Sequence, residues 1–533
     1  MLRILKYLFA AVVATMVVTG CIKNDVPYPI VKLDILAFEA EGLASPAVID
    51  AAAHTVEVEL AETTDIRKLN VTRVDISEGA TSSVVFPGVF DMRKPLYVTL
   101  SMYQDYEWSI IAKQSIEYGF SVEGQIGESE IDAINHIVTA YVPMDADLEN
   151  VVITAAKFGP SDITSYSPDP LSLTDFYDTV RHVEVRYHGD IVEDWTIRIV
   201  PKDLEIELTQ VDAWAKCIWV YAMGRSGSDM GFKYRAAGSE EWIVAEDVVI
   251  NGGNVSGCID GLEPLSTYEI IAFSGENTTE VVTATTEDVT TLINGGLEDW
   301  LFTDGTYYPY AEGTSPYWAT GNDGAKIAST ILTEPTSDVR PGSSGQYAAS
   351  LQSKKASVMG IGKFAAGNIF LGRFGGLQGV NGLVFFGRPS TVRPVALHGW
   401  VKYEQGIIDE LGKAPASRPD MKVGDPDEGQ IYIAVGDWTA EEYGGDADSP
   451  ICIDTSNESS FFNIKGKNVI GAGELILDKS TDGWVEFTIP MEYVSTSRIP
   501  THVIIVCTGS RFGDYFTGST SSHMVVDDLS FVF

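Results

Sequence analysis

The stretch VMGIGKFAAGNIFLGRFGG, residues 358–376, decides how the C-terminal half of this chain is read. Gly360, Gly362 and Lys363 spell G-x-G-K, a fragment of a phosphate loop, which would make the region an α/β nucleotide-binding fold. The full loop is G-x-x-x-x-G-K-[ST], because the lysine must meet phosphate and the hydroxyl a magnesium ion. With Gly362 and Lys363 in place, Ser357 stands at the first glycine position and Phe364 at the hydroxyl position. A dinucleotide fingerprint needs a third glycine that opens a helix after a strand. Ala365 holds that position, and no βαβ pattern surrounds it. The nucleotide reading therefore fails, and no nucleotide cofactor is expected. What remains is two apolar, strand-like runs, ASVMGIGKFA and GNIFLGRFGG, joined at Ala366-Gly367-Asn368, where Gly and Asn accept positive φ cheaply. A β-hairpin is predicted, its glycines serving turn and close packing, with Lys363 as an open candidate for a ligand contact.

Working outward, aromatics and glycines are dense from about Asn294 onward and the strands are short. INGGLEDW (293–300) opens the region and VVDDLSFVF (525–533) closes it as an alternating strand. An opening strand with an acidic residue paired to a closing "DD" strand resembles jelly-roll carbohydrate-binding modules. In many of those a structural calcium sits where first and last strands meet, and calcium takes clustered oxygen ligands. That resemblance makes Glu298, Asp527 and Asp528 the metal candidates; otherwise these acids face solvent or cap a turn. NGGLEDW, YYPYAEGTSPYWATGNDG, GQYAASLQS, GIGKFAAGNIFLGRF, FFGRPSTVRPVALHGWVKY and VVDDLSFVF follow one another in a particular order. In that order residues 290–533 resemble the putative carbohydrate metabolism domain family, most specifically in KFAAGN and GRP…RP. The family occurs on exported lipoproteins of gut-type Gram-negative bacteria. The resemblance implies a jelly-roll β-sandwich with a carbohydrate role, and leaves open whether the domain cleaves glycans or only binds them.

Toward the N-terminus the chain repeats. FEAEGLASPAVIDAAAHTVEVELAETTDIRKL (38–69) and FSVEGQIGESEIDAINHIVTAYVPMDADLENV (120–151) match at one constant offset, Phe38 to Phe120, Gly42 to Gly124, Ile49-Asp50 to Ile131-Asp132, His54 to His136 and Asp65 to Asp147. Each copy ends in a tryptophan strand, YEWSIIAKQ at Trp108 and EDWTIRIV at Trp195. Strict alternation in HTVEVEL and HIVTAYV marks half-buried strands. Two tandem immunoglobulin-like sandwiches fit, and two copies are too few for a solenoid. His54 and His136 are read as strand-entry residues rather than metal ligands, since a metal site needs several converging donors. In residues 203–288, Leu262, Pro264 and Tyr268 make the L-x-P-x-x-x-Y arrangement that resembles a fibronectin type III domain, whose corner tyrosine hydrogen-bonds backbone. TATTEDVTT ends this unit as a linker.

The whole chain of 533 residues is thus expected to be all-β and multi-domain: a signal peptide at 1–20, a tether at 21–30, immunoglobulin-like domains at 31–115 and 116–202, a fibronectin type III-like domain at 203–288 and a jelly roll at 289–533. The signal rests on Arg3 and Lys6, an apolar run from Tyr7 to Val18 too short for a comfortable span, and Val18-Thr19-Gly20-Cys21. The last four residues resemble the bacterial lipobox, which makes Cys21 the lipidation site. The protein is expected to be exported, anchored to the bacterial outer membrane by that lipid and surface-exposed. A net charge of −39 repels phosphate backbones, so no nucleic-acid partner is expected. Cys217, Cys258, Cys452 and Cys507 show no zinc spacing. Cys452 and Cys507 have an oxidising compartment in which to pair, and equally read as buried small hydrophobes.

Sugar recognition sets aromatic faces against C–H patches and fixes hydroxyls with polar groups. The ligand-binding candidates are Trp318, Asn322 and Asp323 in the loop-like YWATGND, Tyr308 with Tyr307 and Tyr310 in TYYPYAEG, and Arg388, Arg393, Lys402 and Tyr403 on a concave face. For each aromatic the competing role is core packing, and for the two arginines a structural salt bridge. Non-catalytic glycan binding is the favoured function, with the N-terminal sandwiches as spacers and a glycan-uptake system as the source of partner proteins. A glycoside hydrolase is the alternative; it needs two carboxylates roughly 5–10 Å apart, and Glu298, Glu312, Asp323, Glu404 and Asp437 are available without any pattern that pairs them. An adhesive or structural surface protein is the third reading.

Overall fold

The computed structural model describes residues 31–533 apart from 52, 359, 360, 380 and 416. The leader and Cys21 lie outside the described residues. The fold is almost all β, a multi-domain set of sandwiches, and no described helix is long and apolar enough to cross a membrane. The chain divides into two compact units, 1–116 and 117–533.

In the first unit Thr55–Leu60 alternates in sequence and in burial, with Val56, Val58 and Leu60 inside. It pairs in parallel with Asp105–Gln114, which sets Trp108 in the middle of the core. The Trp108 indole N–H donates to Leu33 O at 3.0 Å, so its one polar atom is satisfied. Within the second unit the first sandwich repeats the device: Ile137–Pro143 pairs in parallel with Ile191–Lys202 over the buried Trp195. His54 and His136 enter these strands in the left-handed region, at φ 52° and 56°. Their rings lie against Trp108 and Trp195, centroids 5.2 and 5.4 Å away. Each carbonyl takes an amide of the partner strand, from Ser109 at 2.9 Å and Thr196 at 2.8 Å. Both histidines are turn residues seated on a core tryptophan, which is why the repeat keeps their place.

The next sandwich packs a four-stranded sheet around Ile218–Gly224 on a second sheet around Met230–Ala236 and Thr267–Ser274. At its corner the Tyr268 hydroxyl accepts the Glu263 N–H at 3.0 Å.

The C-terminal sandwich joins a nine-stranded sheet to a five-stranded one. The central strands Gly429–Gly436 (GQIYIAVG) and His502–Thr508 (HVIIVCT) are apolar at almost every position, so both faces of the large sheet must be covered. Ile431, Ile433, Val435, Val503, Ile505 and Cys507 face the five-stranded sheet and form the main core. Tyr432, Ala434, Ile504 and Val506 face the other way, where Trp438, Ile451 and Ile453 cover part of them.

Two sequence expectations change here, and a third point that the sequence left open is decided. The 356–376 stretch is not one hairpin about Ala366-Gly367-Asn368. Lys354–Val358 folds onto Ile361–Ala365, while Asn368–Gln378 leaves to pair with Asn381–Phe386 and His502–Thr508. Gly367 is needed for packing: a Cβ there would lie 2.4 Å from Gln352 N. Second, 293–300 is a turn and not a strand paired to the closing one. Asn294 and Leu297 have φ 48° and 56°, and His523–Val532 already has Ala348–Gln352 and Ala396–Glu404 on its two edges. Only the Leu529 N–H to Gly295 O bond, 2.8 Å, joins opening and closing segments. Third, Cys452 and Cys507 are both free. Two strands separate theirs in the sheet, which puts them about 14 Å apart, and a disulfide needs Cα atoms within about 7 Å.

Candidate functional site

The uncovered part of the large sheet's outer face is a cavity of about 420 Å³. Strand alternation supplies its floor: Phe370, Phe386, Tyr432 and Val506 all project from the face opposite the main core. The short helix Asn322–Ala325 and the strand Ile361–Ala365 wall it, contributing Gly324, Ala325, Lys363 and Phe364. Gly362 is what lets that strand turn so tightly: a Cβ would lie 2.2 Å from Ala356 O. A second cavity of about 540 Å³ adjoins, lined by Asn381, Glu410, Lys413, Glu458 and Tyr515. The two share Gly362, Lys363, Phe364, Thr455, Asp514 and Phe516.

Lys363 and Asp514 stand at that junction. The Lys363 ammonium sits 3.7 Å from the centroid of the Phe516 ring and donates to Asn381 Oδ1 at 2.7 Å. Burial alone pushes its pKa down. Asp514 accepts no hydrogen bond within the described residues, and burial pushes its carboxyl up to about 6. In the second cavity Glu458 is held by Lys413 and accepts the Tyr515 hydroxyl at 2.9 Å. Glu410 pairs with Lys355 at 2.6 Å. The junction therefore offers one ammonium with donors to spare and one unspent carboxyl, framed by aromatic rings.

Residues 296–532 match the family model of the putative carbohydrate metabolism domain. The matched residues include both cavities and most of the C-terminal sandwich. No curated protein matches the chain. Among solved structures, a putative glycoside hydrolase from Bacteroides thetaiotaomicron is 16% identical, with 95% of this chain and 98% of that one covered, at a TM-score of 0.31. A putative glycoside hydrolase from Bacteroides vulgatus is 22% identical over 46% of this chain and 97% of that one, at 0.34. An I9–I11 tandem of titin is 9% identical over 40% of this chain and 83% of that one, at 0.12. At these values the likenesses bear on no activity.

Most residues singled out in the sequence of the C-terminal sandwich turn out to hold the fold. Trp318 is 1% exposed, its indole N–H on Ile293 O at 2.8 Å, so neither ring face is offered to a sugar. Asn322 is wholly buried: its amide donates to Tyr307 O and Thr333 O while its Oδ1 accepts from Leu332 and Thr333 N–H. Arg388 is buried on Tyr317 O and Gly372 O. Arg393 is buried on Glu287, Thr496 O and Ala213 O, clamping the preceding sandwich. Tyr403 is buried with its hydroxyl on Gly509 O, and Lys402 pairs with Asp338 at 2.9 Å. Tyr308, Asp323 and Lys326 do come together, half-buried, at 2.7–3.1 Å, with Tyr310 at 5.7 Å from Tyr308, but they do not line the cavities. Tyr307 packs at a tilt against Phe302, ring centroids 4.7 Å apart. Of the acids once weighed for hydrolysis, Asp437 is held by Arg498, and Glu312 and Glu404 are exposed.

Glu298, Asp527 and Asp528 converge on one corner but do not present a calcium shell. Glu298 accepts the Gln346 and Tyr347 amides. Arg340 binds Asp528 through its guanidinium at 2.5 Å and Asp527 through its backbone N–H at 2.9 Å. Only Asp527 Oδ1 is buried without a partner. Among the described residues no group of three or more His, Cys, Asp and Glu is set to hold a metal ion, and calcium takes six to eight oxygens. Arg340 supplies the cation here.

Asp514, Tyr432 and Phe516 were missed by sequence reasoning. The available signal was the two-faced hydrophobicity of GQIYIAVG and HVIIVCT, which announces an outer face in need of cover.

Proposed function

We propose that this chain is an exported lipoprotein, anchored through Cys21 to the bacterial outer membrane and facing outward. Its carbohydrate metabolism domain binds a glycan at the paired cavities about Lys363 and Asp514, and residues 31–288 serve as spacers. The observation that carries the reading is the junction itself: unspent polar groups of both signs between aromatic rings, in cavities of the size that small ligands fill. Partner proteins of a glycan-uptake system belong to the same proposal.

A glycan array probed with residues 22–533, with a parallel assay for released reducing ends, tests it. Binding that is lost in Lys363→Ala without release of reducing ends supports the reading, and silence across the array overturns it. One observation favours a second reading, hydrolysis. Asp514, a carboxyl that burial raises to about 6, lines the same cavity as Glu458, and a raised acid paired with a second carboxylate is how glycosidases divide proton donation from attack. Release abolished by Asp514→Asn would establish it.

A further inference from the structure

The two cavities differ in the side chains that line them. In the 420 Å³ cavity the polar side chains away from the junction are few and each already holds a partner. Gln430 donates to Glu474 at 2.9 Å, Arg511 to Glu428 at 2.9 Å and Thr508 to Ser510 O at 3.1 Å, while Asn368 accepts Gly321 N–H at 2.8 Å. The rest of the wall is hydrocarbon: Phe364, Phe370, Phe374, Phe386, Val384 and Val506. Two further lining side chains, Ile327 and Leu377, are 64% and 38% exposed, so apolar surface continues out to the solvent. A bare sugar ring entering here would strip water from most of its hydroxyls and find few groups to replace it, which is costly for every unpaired group. The 540 Å³ cavity is lined by more polar side chains, Asn381, Glu410, Lys413, Ser456, Glu458 and Tyr515; they bond to neighbours as well, but the ammonium, hydroxyls and carboxylates among them keep further donors and acceptors.

We infer that the ligand is a saccharide bearing an apolar substituent, an alkyl, acyl or aryl group. The sugar occupies the polar cavity, the substituent fills the apolar one, and the linking oxygen lies at Lys363 and Asp514. This rests on the glycan-binding reading and adds the ligand's class to it. Each methylene drawn from water strengthens binding about fourfold, so a hexyl chain outweighs a methyl group by at least ~100-fold even if part of it stays wet.

The test is calorimetric titration of residues 22–533 with paired methyl and hexyl glycosides of glucose, galactose, mannose, xylose and N-acetylglucosamine, with hexanol as the sugar-free probe. The inference predicts that for at least one sugar the hexyl glycoside binds ~100-fold tighter than its methyl partner. It also predicts that Gly324→Leu removes that preference, the hexyl glycoside losing far more affinity than the methyl one. A Cβ at Gly324 lies 3.3 Å from the Phe374 ring and 3.8 Å from Leu377, so the new side chain enters the apolar cavity; a melting curve confirms that the variant folds. Equal affinity for hexyl and methyl glycosides overturns the inference and leaves glycan binding standing. Hexanol binding as tightly as every hexyl glycoside overturns the glycan reading and, with it, the saccharide part of the inference. No binding by any probe overturns both.

Discussion

Asp514→Asn is the sharpest single perturbation of this site, because it removes a charge and almost no volume. The Asp514 carboxyl is raised from an ordinary 3.8 to about 6 by burial, with no hydrogen bond to offset it. The folded state therefore holds its proton more tightly than the unfolded chain does. Below pH 3.8 both states are protonated and the residue costs nothing. Between about pH 4 and 6 the unfolded chain releases its proton first, so stability falls as pH rises. Above pH 6 the full penalty is present. At about 1.4 kcal/mol per pH unit it is at most about 3 kcal/mol, and water reaching the half-buried carboxyl reduces it to roughly 1–3 kcal/mol. An asparagine pays no such penalty. Scanning calorimetry of the full chain from pH 3.5 to 8 reads the result, following the transition of the C-terminal sandwich by itself because a multi-domain chain is not two-state. We expect no difference from wild type near pH 3.5 and a gain that grows to roughly 2–10 °C above pH 6, at about 2–4 °C per kcal/mol for a domain of this size. A gain independent of pH, or a loss at neutral pH, would refute the reasoning, since either means the carboxyl is held by contacts rather than merely desolvated.

Three further outcomes are expected. Arg393→Ala leaves Glu287 unpaired and frees two buried carbonyls between sandwiches, costing about 3–5 kcal/mol; denaturant titration checks it, and a change below 1 kcal/mol, roughly that of an exposed pair, would place the clamp at the surface. Because Arg340 already neutralises Asp528, removing calcium with EDTA leaves the melting temperature unchanged, whereas a rise on adding calcium would show that the ion displaces the guanidinium. Unreduced protein, unfolded and treated with iodoacetamide, is alkylated at both Cys452 and Cys507; peptide mass mapping that finds them joined would contradict the strand order.

Sequence and structure meet unevenly along this chain. The N-terminal repeat was legible because alternation and a constant offset are local properties: His54 and His136 could be placed at strand entries before any tertiary contact was known. The 358–376 stretch was legible as β and illegible in its pairing. Gly367 and Asn368 carry turn chemistry, yet the turn lies earlier, and Gly367 is there because the Gln352 backbone passes against it. Arg388 and Arg393 show the opposite failure. Charge suggests a ligand, and only the neighbouring carbonyls, more than a hundred residues away for Ala213, reveal a buried fastener.

What the sequence determined by itself was the all-β class and the tandem sandwiches, and it carried, unread, the two-faced hydrophobicity of the large sheet's central strands. All follow from the period of hydrophobic residues, which each short segment carries on its own. What only the tertiary structure decided was where the cover over those strands stops. Lys363 and Asp514, far apart in sequence, both line the edge of the cover between two cavities. Alternation states which way a side chain points, but whether it meets another side chain, a strand or open space depends on segments distant in sequence.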